Sequence, residues 1–145
     1  MSVMCVTCRV GTMTLAVPTE AVELLTEFVR GPVPPLAQPW WTGLASVGGR
    51  LVACVGLLGR SVGGAPERRR IGLLMRAGRA AWALEIDGLG PLSRITVGDG
   101  PRPAVPAGAK LVCPESWLSA GIGPGGAALP LLDAAAVSAT LDHST

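Results

Sequence analysis

The chain has 145 residues, of which 49% are hydrophobic and 15% charged, and it carries a formal net charge of +2. That length suits a single domain, residues 1–145, burying roughly two-thirds of its unfolded surface, and the apolar content excludes a disordered chain. Twenty Gly and thirteen Pro among many short apolar runs favour strands and turns over a helical bundle, so the expected class is all-β.

In chain order, Val3 to Val10 and Thr12 to Val17 read as two strands joined at Gly11. After Pro18-Thr19-Glu20, the apolar residues Ala21, Leu24, Leu25 and Phe28 fit helical spacing. Gly31 to Pro39 holds four Pro and is an irregular loop that delivers Trp40 and Trp41, which would point to opposite sides of an extended chain and leave one exposed. Trp41 to Leu58 combines a short apolar segment, a Gly-Gly pair and a second apolar run. It predicts a buried hairpin turning at Val47, Gly48, Gly49 and Arg50, where positive φ is needed.

Gly59 to Glu67 is a turn-rich connection, and Arg70 to Met75 with Ala80 to Ile86 form a strand pair around Ala77-Gly78. Within it Trp82 alternates with Ala80 and Leu84 on a core face, whereas the setting of Trp117 is not legible. Gly88 to Pro91 is expected to bend the chain, Leu92 to Val97 to form a strand, and Gly98 to Gly108 to be a surface loop. Lys110 to Cys113 and Trp117 to Ile122 are brief pairing segments, and Ala127 to Leu132 is the last strand. Asp133 then caps a helix over Ala134 to Leu141, and the tail 142–145 is expected to fray.

The inventory for catalysis is poor: one His in the tail, no Tyr and ten scattered carboxylates. Ser46, Ser61 and Ser93 lack a nucleophile-elbow context, and GIGPGG at Gly121 to Gly126 lacks the Lys and Ser/Thr of a phosphate loop, so no enzyme and no cofactor are expected. Cys5 and Cys8 form a C-x-x-C, but residues three apart in a strand face opposite ways. Buried small hydrophobes are therefore expected rather than a metal site, with a Cys-based metal or redox sensor as an alternative. Glu85 and Asp87 share one strand face, expected to be solvated. Arg68-Arg69-Arg70 reads as a solvated strand entrance, not a nucleic-acid site. The Trp residues are the better functional candidates, since aromatic anchors dominate interfaces. The uncharged windows Pro32 to Gly49 and Ser116 to Leu132 are broken by Pro and Gly, so no membrane insertion is expected. The N-terminus lacks a signal-peptide pattern, which makes the expected location cytoplasmic.

Set in order, several segments resemble the CheW-like domain family. GTMTLAVPTEAVEL (Gly11 to Leu24) resembles that family's opening hairpin and Val-x-Glu-Ile motif, with Ala21 at the Val position and Glu23 at the Glu position. Gly43 to Gly49 resembles its Gly-x-x-Asn-Leu-Arg-Gly stretch, Ile86-Asp87-Gly88-Leu89 its Val-Asp-x-Val, and Leu131-Leu132-Asp133 its closing Ile-Leu-Asp. The chain departs from the pattern at Ser46-Val47-Gly48-Gly49, where Gly48 stands in the Arg position, and at Ala53 to Leu57, which lacks the Pro and Asp of Pro-x-x-Asp-Leu.

The resemblance implies two intertwined five-stranded SH3-like barrels, sharing strands and a core and not folding separately, with a short C-terminal helix. It places an extended piece near Glu23 and a turn-capping role on Asp87. It also implies a non-catalytic adaptor in a bacterial chemosensory array, coupling a chemoreceptor's cytoplasmic tip to the regulatory domain of a CheA-type histidine kinase. Ala21, Glu23, Leu24, Gly43, Val47, Gly48 and Gly49 are the partner-binding residues it carries over. The alternative under the same resemblance is a divergent adaptor that keeps only one partner.

Overall fold

In the computed structural model, which describes residues 1–33, 35–59, 69–76, 79, 81–98, 105–106 and 108–144, strands β1 (Ser2–Val10) and β2 (Met13–Pro18) form the opening hairpin. Gly11 turns it at φ 60°, and the Asp87 carboxylate accepts the Gly11 N–H at 2.6 Å, so Asp87 caps this turn. A single 3-10 turn, Thr19–Ala21, leads into β3 (Val22–Val29). The helical spacing of Ala21, Leu24, Leu25 and Phe28 is thus overridden: β3 pairs along its length with β6 (Arg69–Met75), and this pairing outweighs local periodicity.

β4 (Trp41–Val47) and β5 (Arg50–Val55) form the central hairpin. Gly48 and Gly49 have φ of 57° and 80°, the two successive positive values that a type I′ turn needs to match strand twist. β6 pairs antiparallel with β7 (Trp82–Ile86); their turn at 77–78, the Ala80 position and most of the 59–67 connection lie outside the described residues.

Four expectations change. Gly88 to Pro91 is no bend but the start of a long strand, β8 (Gly88–Val97). Opposite β1, Val6 pairs with Leu92 and Cys8 with Leu89, so Gly90-Pro91 faces Thr7 alone in a β-bulge, a place where a strand tolerates a residue without an N–H. Lys110 to Cys113 is not a strand; it is held to the fold by Val112 N–H donating to Leu57 O at 2.9 Å. After β9 (Leu118–Ile122) and β10 (Ala128–Leu132), α1 (Ala134–Ser144) runs through the segment expected to fray. Its N-cap is Asp133, whose Oδ1 accepts the Ala136 N–H at 3.1 Å. Finally, no strand is shared between the two sheets: the chain leaves the first after β2, builds the second from β3 to β7, and returns at β8.

The first sheet is a closed barrel in the order β1-β2-β10-β9-β8, and the second has the order β3-β6-β7-β5-β4. The ends of the second curl together where Gly31 N–H, just past β3, donates to Leu44 O of β4 at 2.7 Å. Cys5, Ala16, Ile95 and Leu131 fill the first barrel, and Phe28, Ala45, Val52, Cys54, Leu74 and Ala83 the second. The largest cluster lies between them. There Cys8, Met13 and Leu15 from one side meet Leu73, Trp82 and Leu84 from the other, closed over by Val137 and Leu141 of α1.

Candidate partner-binding surface

Glu23 at the start of β3 and Arg50 at the tip of the β4–β5 hairpin form an ion pair of 3.3 Å. This contact joins the Val-x-Glu-Ile segment to the Gly-x-x-Asn-Leu-Arg-Gly segment. Exposed apolar side chains adjoin it in the chain, Leu24 (42% exposed) and Leu25 (48%) in β3 and Leu51 (70%) in β5; Leu24 and Leu25 face opposite sides of the strand, Leu24 beside Leu74 and Leu25 beside Leu73. The pair is itself largely solvated and worth at most about 1 kcal/mol to the fold, so its charges are available to a partner at little cost in stability.

Of the seven residues carried over by resemblance, Glu23, Leu24, Gly48 and Gly49 sit at this surface, and Val47 is half-buried against the interior of the second barrel. Gly48 has no neighbour within 4 Å, yet an Arg there would have to adopt φ of 57°, at a cost of about 1 kcal/mol or more. Gly43 lies elsewhere. It is buried where any Cβ would run into the Arg30 stem and the Gly31 carbonyl, so glycine is required there for close approach. Ala21 lines a separate groove of about 450 Å³, with Pro18 and Glu20 on one side and Leu131, Asp133 and Ala134 on the other. That groove brings the opening and closing motifs together.

Beneath the hairpin lies a polar cluster that the sequence did not disclose. Glu85 does not belong to a solvated face: its side chain is only 12% exposed, pairs with Arg30 at 3.3 Å and accepts from the Thr42 hydroxyl. Its direction follows from alternation along β7: Trp82, Leu84 and Ile86 face the cluster between the barrels, so Glu85 shares the face of Ala83, within the second barrel, where it meets Arg30 and Thr42. Asp87, beyond the end of that strand, is the exposed one.

Compared by sequence, the chain matches no family model and no curated protein. Compared by structure, it is similar to the scaffolding protein TtCheW from Thermoanaerobacter tengcongensis, with a TM-score of 0.61 at 10% identity, over 92% of this chain and 90% of that one. The chain has a CheW-like fold.

Within this CheW-like fold the Trp residues are interior anchors rather than surface ones. Trp40, Trp82 and Trp117 are 0–3% exposed, and Trp41 is half-buried. Trp40 and Trp41 do not point to opposite sides: their rings stack with centroids 6.4 Å apart and planes 6° from parallel, because Trp40 precedes β4 in a turn. Arg50 was not singled out in the sequence; it follows the Gly48-Gly49 turn and places a guanidinium at the hairpin tip.

The cysteines are dispersed through the CheW-like core. Cys5 lies inside the first barrel, Cys8 between the barrels and Cys54 inside the second, so the strand geometry does separate the C-x-x-C pair, and nothing favours a Cys-based sensor. Burial pushes the thiol of Cys5 up from 9.0 to about 11 and those of Cys8 and Cys54 to about 12; at Cys54 the Glu85 charge adds to desolvation and Arg30 opposes it. Above pH 9 the unfolded chain releases these protons while the folded chain holds them, so stability is expected to be unaffected by thiols below pH 9 and to fall as pH rises from about 9 toward 12. With no Tyr and a single Lys, few other groups titrate there. Urea unfolding at pH 8 to 11 checks this; a level profile would show that the thiols ionise freely in the folded chain.

No helix among the described residues is long and apolar enough to cross a membrane.

Proposed function

We propose that this protein is a non-catalytic chemosensory adaptor that couples the cytoplasmic tip of a chemoreceptor to the regulatory domain of a CheA-type histidine kinase. The observation that carries this reading is the exposed Glu23–Arg50 contact, which brings two motif segments together next to the exposed Leu24 and Leu51 in sequence. The CheW-like fold supports it, since the similar solved structure is that of a scaffolding protein. On this surface Leu24 and Leu51 supply contact area, Glu23 and Arg50 supply polar specificity, and the rigid Gly48-Gly49 turn holds Arg50 at the tip. Arg50 here performs the part that the resemblance assigns to the Arg position now occupied by Gly48.

The test is direct binding of the purified protein to a chemoreceptor tip and, separately, to a CheA regulatory domain. Both are expected to bind. Arg50→Glu places a like charge beside Glu23 and is expected to weaken receptor binding about tenfold, equivalent to about 1.4 kcal/mol, with circular dichroism unchanged. Binding of only one partner would identify a divergent adaptor, and binding of neither would remove the coupling role.

A further inference from the structure

Helix α1 buries Ala134, Val137, Ser138 and Leu141, spaced three and four apart on one face, against the cluster between the two barrels. A serine on the buried face of a helix needs a hydrogen-bond partner, and here the partner is a tryptophan: Trp82 Nε1 of β7 donates to Ser138 Oγ at 3.0 Å. One half-turn on, Trp117 Nε1 donates to Thr140 Oγ1, also at 3.0 Å, and the Thr140 hydroxyl in turn donates to Ala136 O. The two indoles belong to different barrels. Trp82 is in the second, whereas Trp117 leads into β9 of the first and also accepts the Asp133 N–H on its backbone carbonyl at 2.8 Å.

We infer that α1 is a conformational strap that fixes the mutual orientation of the two barrels, latched by the Ser138 and Thr140 hydroxyls to one buried indole from each. No strand is shared by the two sheets; apart from the tie at Asp87, which joins β7 to β8 and bonds to Arg9 and Gly11 of the opening hairpin, orientation is set by side-chain packing and by this helix. The attachment is also light. Besides alanines, the buried face offers Val137 and Leu141 as its apolar grip, and an eleven-residue helix is marginal when it is not packed. Such an element opens below the global unfolding free energy, as a unit of its own. The Trp117 ring in turn lies 5.1 Å from Trp40, which stacks on Trp41 at the start of β4, so the seat of the strap is continuous with the base of the contact hairpin. Ala134 and Asp133 also form one wall of the Ala21 groove. Any effect of strap release on partner binding rests on the adaptor reading; the strap itself does not.

The test is native-state hydrogen exchange on the full chain carrying Ser138→Ala and Thr140→Val, which leave both indole N–H groups buried and unpaired. The opening equilibrium of α1 is expected to rise tenfold or more, while amides of β1 and β8 keep their protection. Thr140→Ser, which keeps the hydroxyl, is expected to leave α1 protected. In a Cys113→Ser background, spin labels at exposed positions 14 and 51, one on each barrel, are expected to show a broadened distance distribution in the double variant. Equal loss of protection in α1 and the strands, unchanged protection of α1, or a helix that opens while the label distance stays fixed would each overturn the inference.

Discussion

Replacing Trp82 by Ala is expected to lower stability by about 3–5 kcal/mol and to unfold both five-stranded units in one transition. Trp82 is fully buried in the cluster that Cys8, Met13 and Leu15 of the first barrel share with Leu73 and Leu84 of the second, and its indole nitrogen holds Ser138 of α1. Truncation removes one of the three Trp side chains of that cluster and leaves the Ser138 hydroxyl without its indole. The interior of each barrel is small by comparison, with four buried apolar residues in the first and six in the second among the described residues. Neither unit has enough apolar area of its own to offset its chain entropy. We therefore propose that residues 1–145 form one domain of two interdependent barrels. Fluorescence and far-ultraviolet circular dichroism recorded through the same urea titration check this. Coincident midpoints are expected for the wild type and for Trp82→Ala; two separated transitions would show barrels that fold independently.

The β-hairpins were legible in the sequence because their signals are local. Gly11 and Gly48-Gly49 stand where the backbone needs positive φ, and the flanking runs are apolar and β-branched, so both hairpins appear with nearly the expected bounds. Asp87 was legible as a turn cap from its place in a motif. What the sequence concealed was set by pairings far apart in the chain. The bulge that admits Gly90-Pro91 into β8 exists only opposite Thr7, and the burial of Glu85 depends on Arg30 and Thr42, which lie 55 and 43 residues away. One of Trp40 and Trp41 was expected to be exposed and Trp117 was not legible, because composition cannot distinguish an aromatic that anchors an interface from one that anchors a junction between barrels. Of the candidate surface, Glu23 and the glycine turn were visible, and Arg50 was not. Its relevance comes from the hairpin folding back toward β3, which places its guanidinium beside a carboxylate 27 residues earlier.

Arg30→Ala is expected to cost about 3–5 kcal/mol, because it strips the guanidinium from a carboxylate that cannot reach bulk water. Arg30 and Glu85 are 14% and 12% exposed, and Glu85 Oε1 is buried without a hydrogen-bond partner, so Thr42 alone would remain to hold the charge. The three residues come from the end of β3, from β7 and from the base of β4, which makes the cluster the rigid footing under the hairpin that carries Arg50. Gly43 belongs to the same construction: the Arg30 stem runs over it so closely that no Cβ fits. A second variant separates loss of the pair from burial of an orphaned charge. Arg30→Met combined with Glu85→Leu replaces both ions by apolar groups of similar length and is expected to recover most of the lost stability, as buried pairs exchanged together often do. Urea unfolding of the three proteins measures both effects, and an Arg30→Ala cost below about 1 kcal/mol would mean that the pair behaves as a solvated one. The recovered double variant should fold while its hairpin loses the directional bonds of Arg30, Thr42 and Glu85, so amide exchange in β4 is expected to stay faster than in the wild type even where global stability is restored.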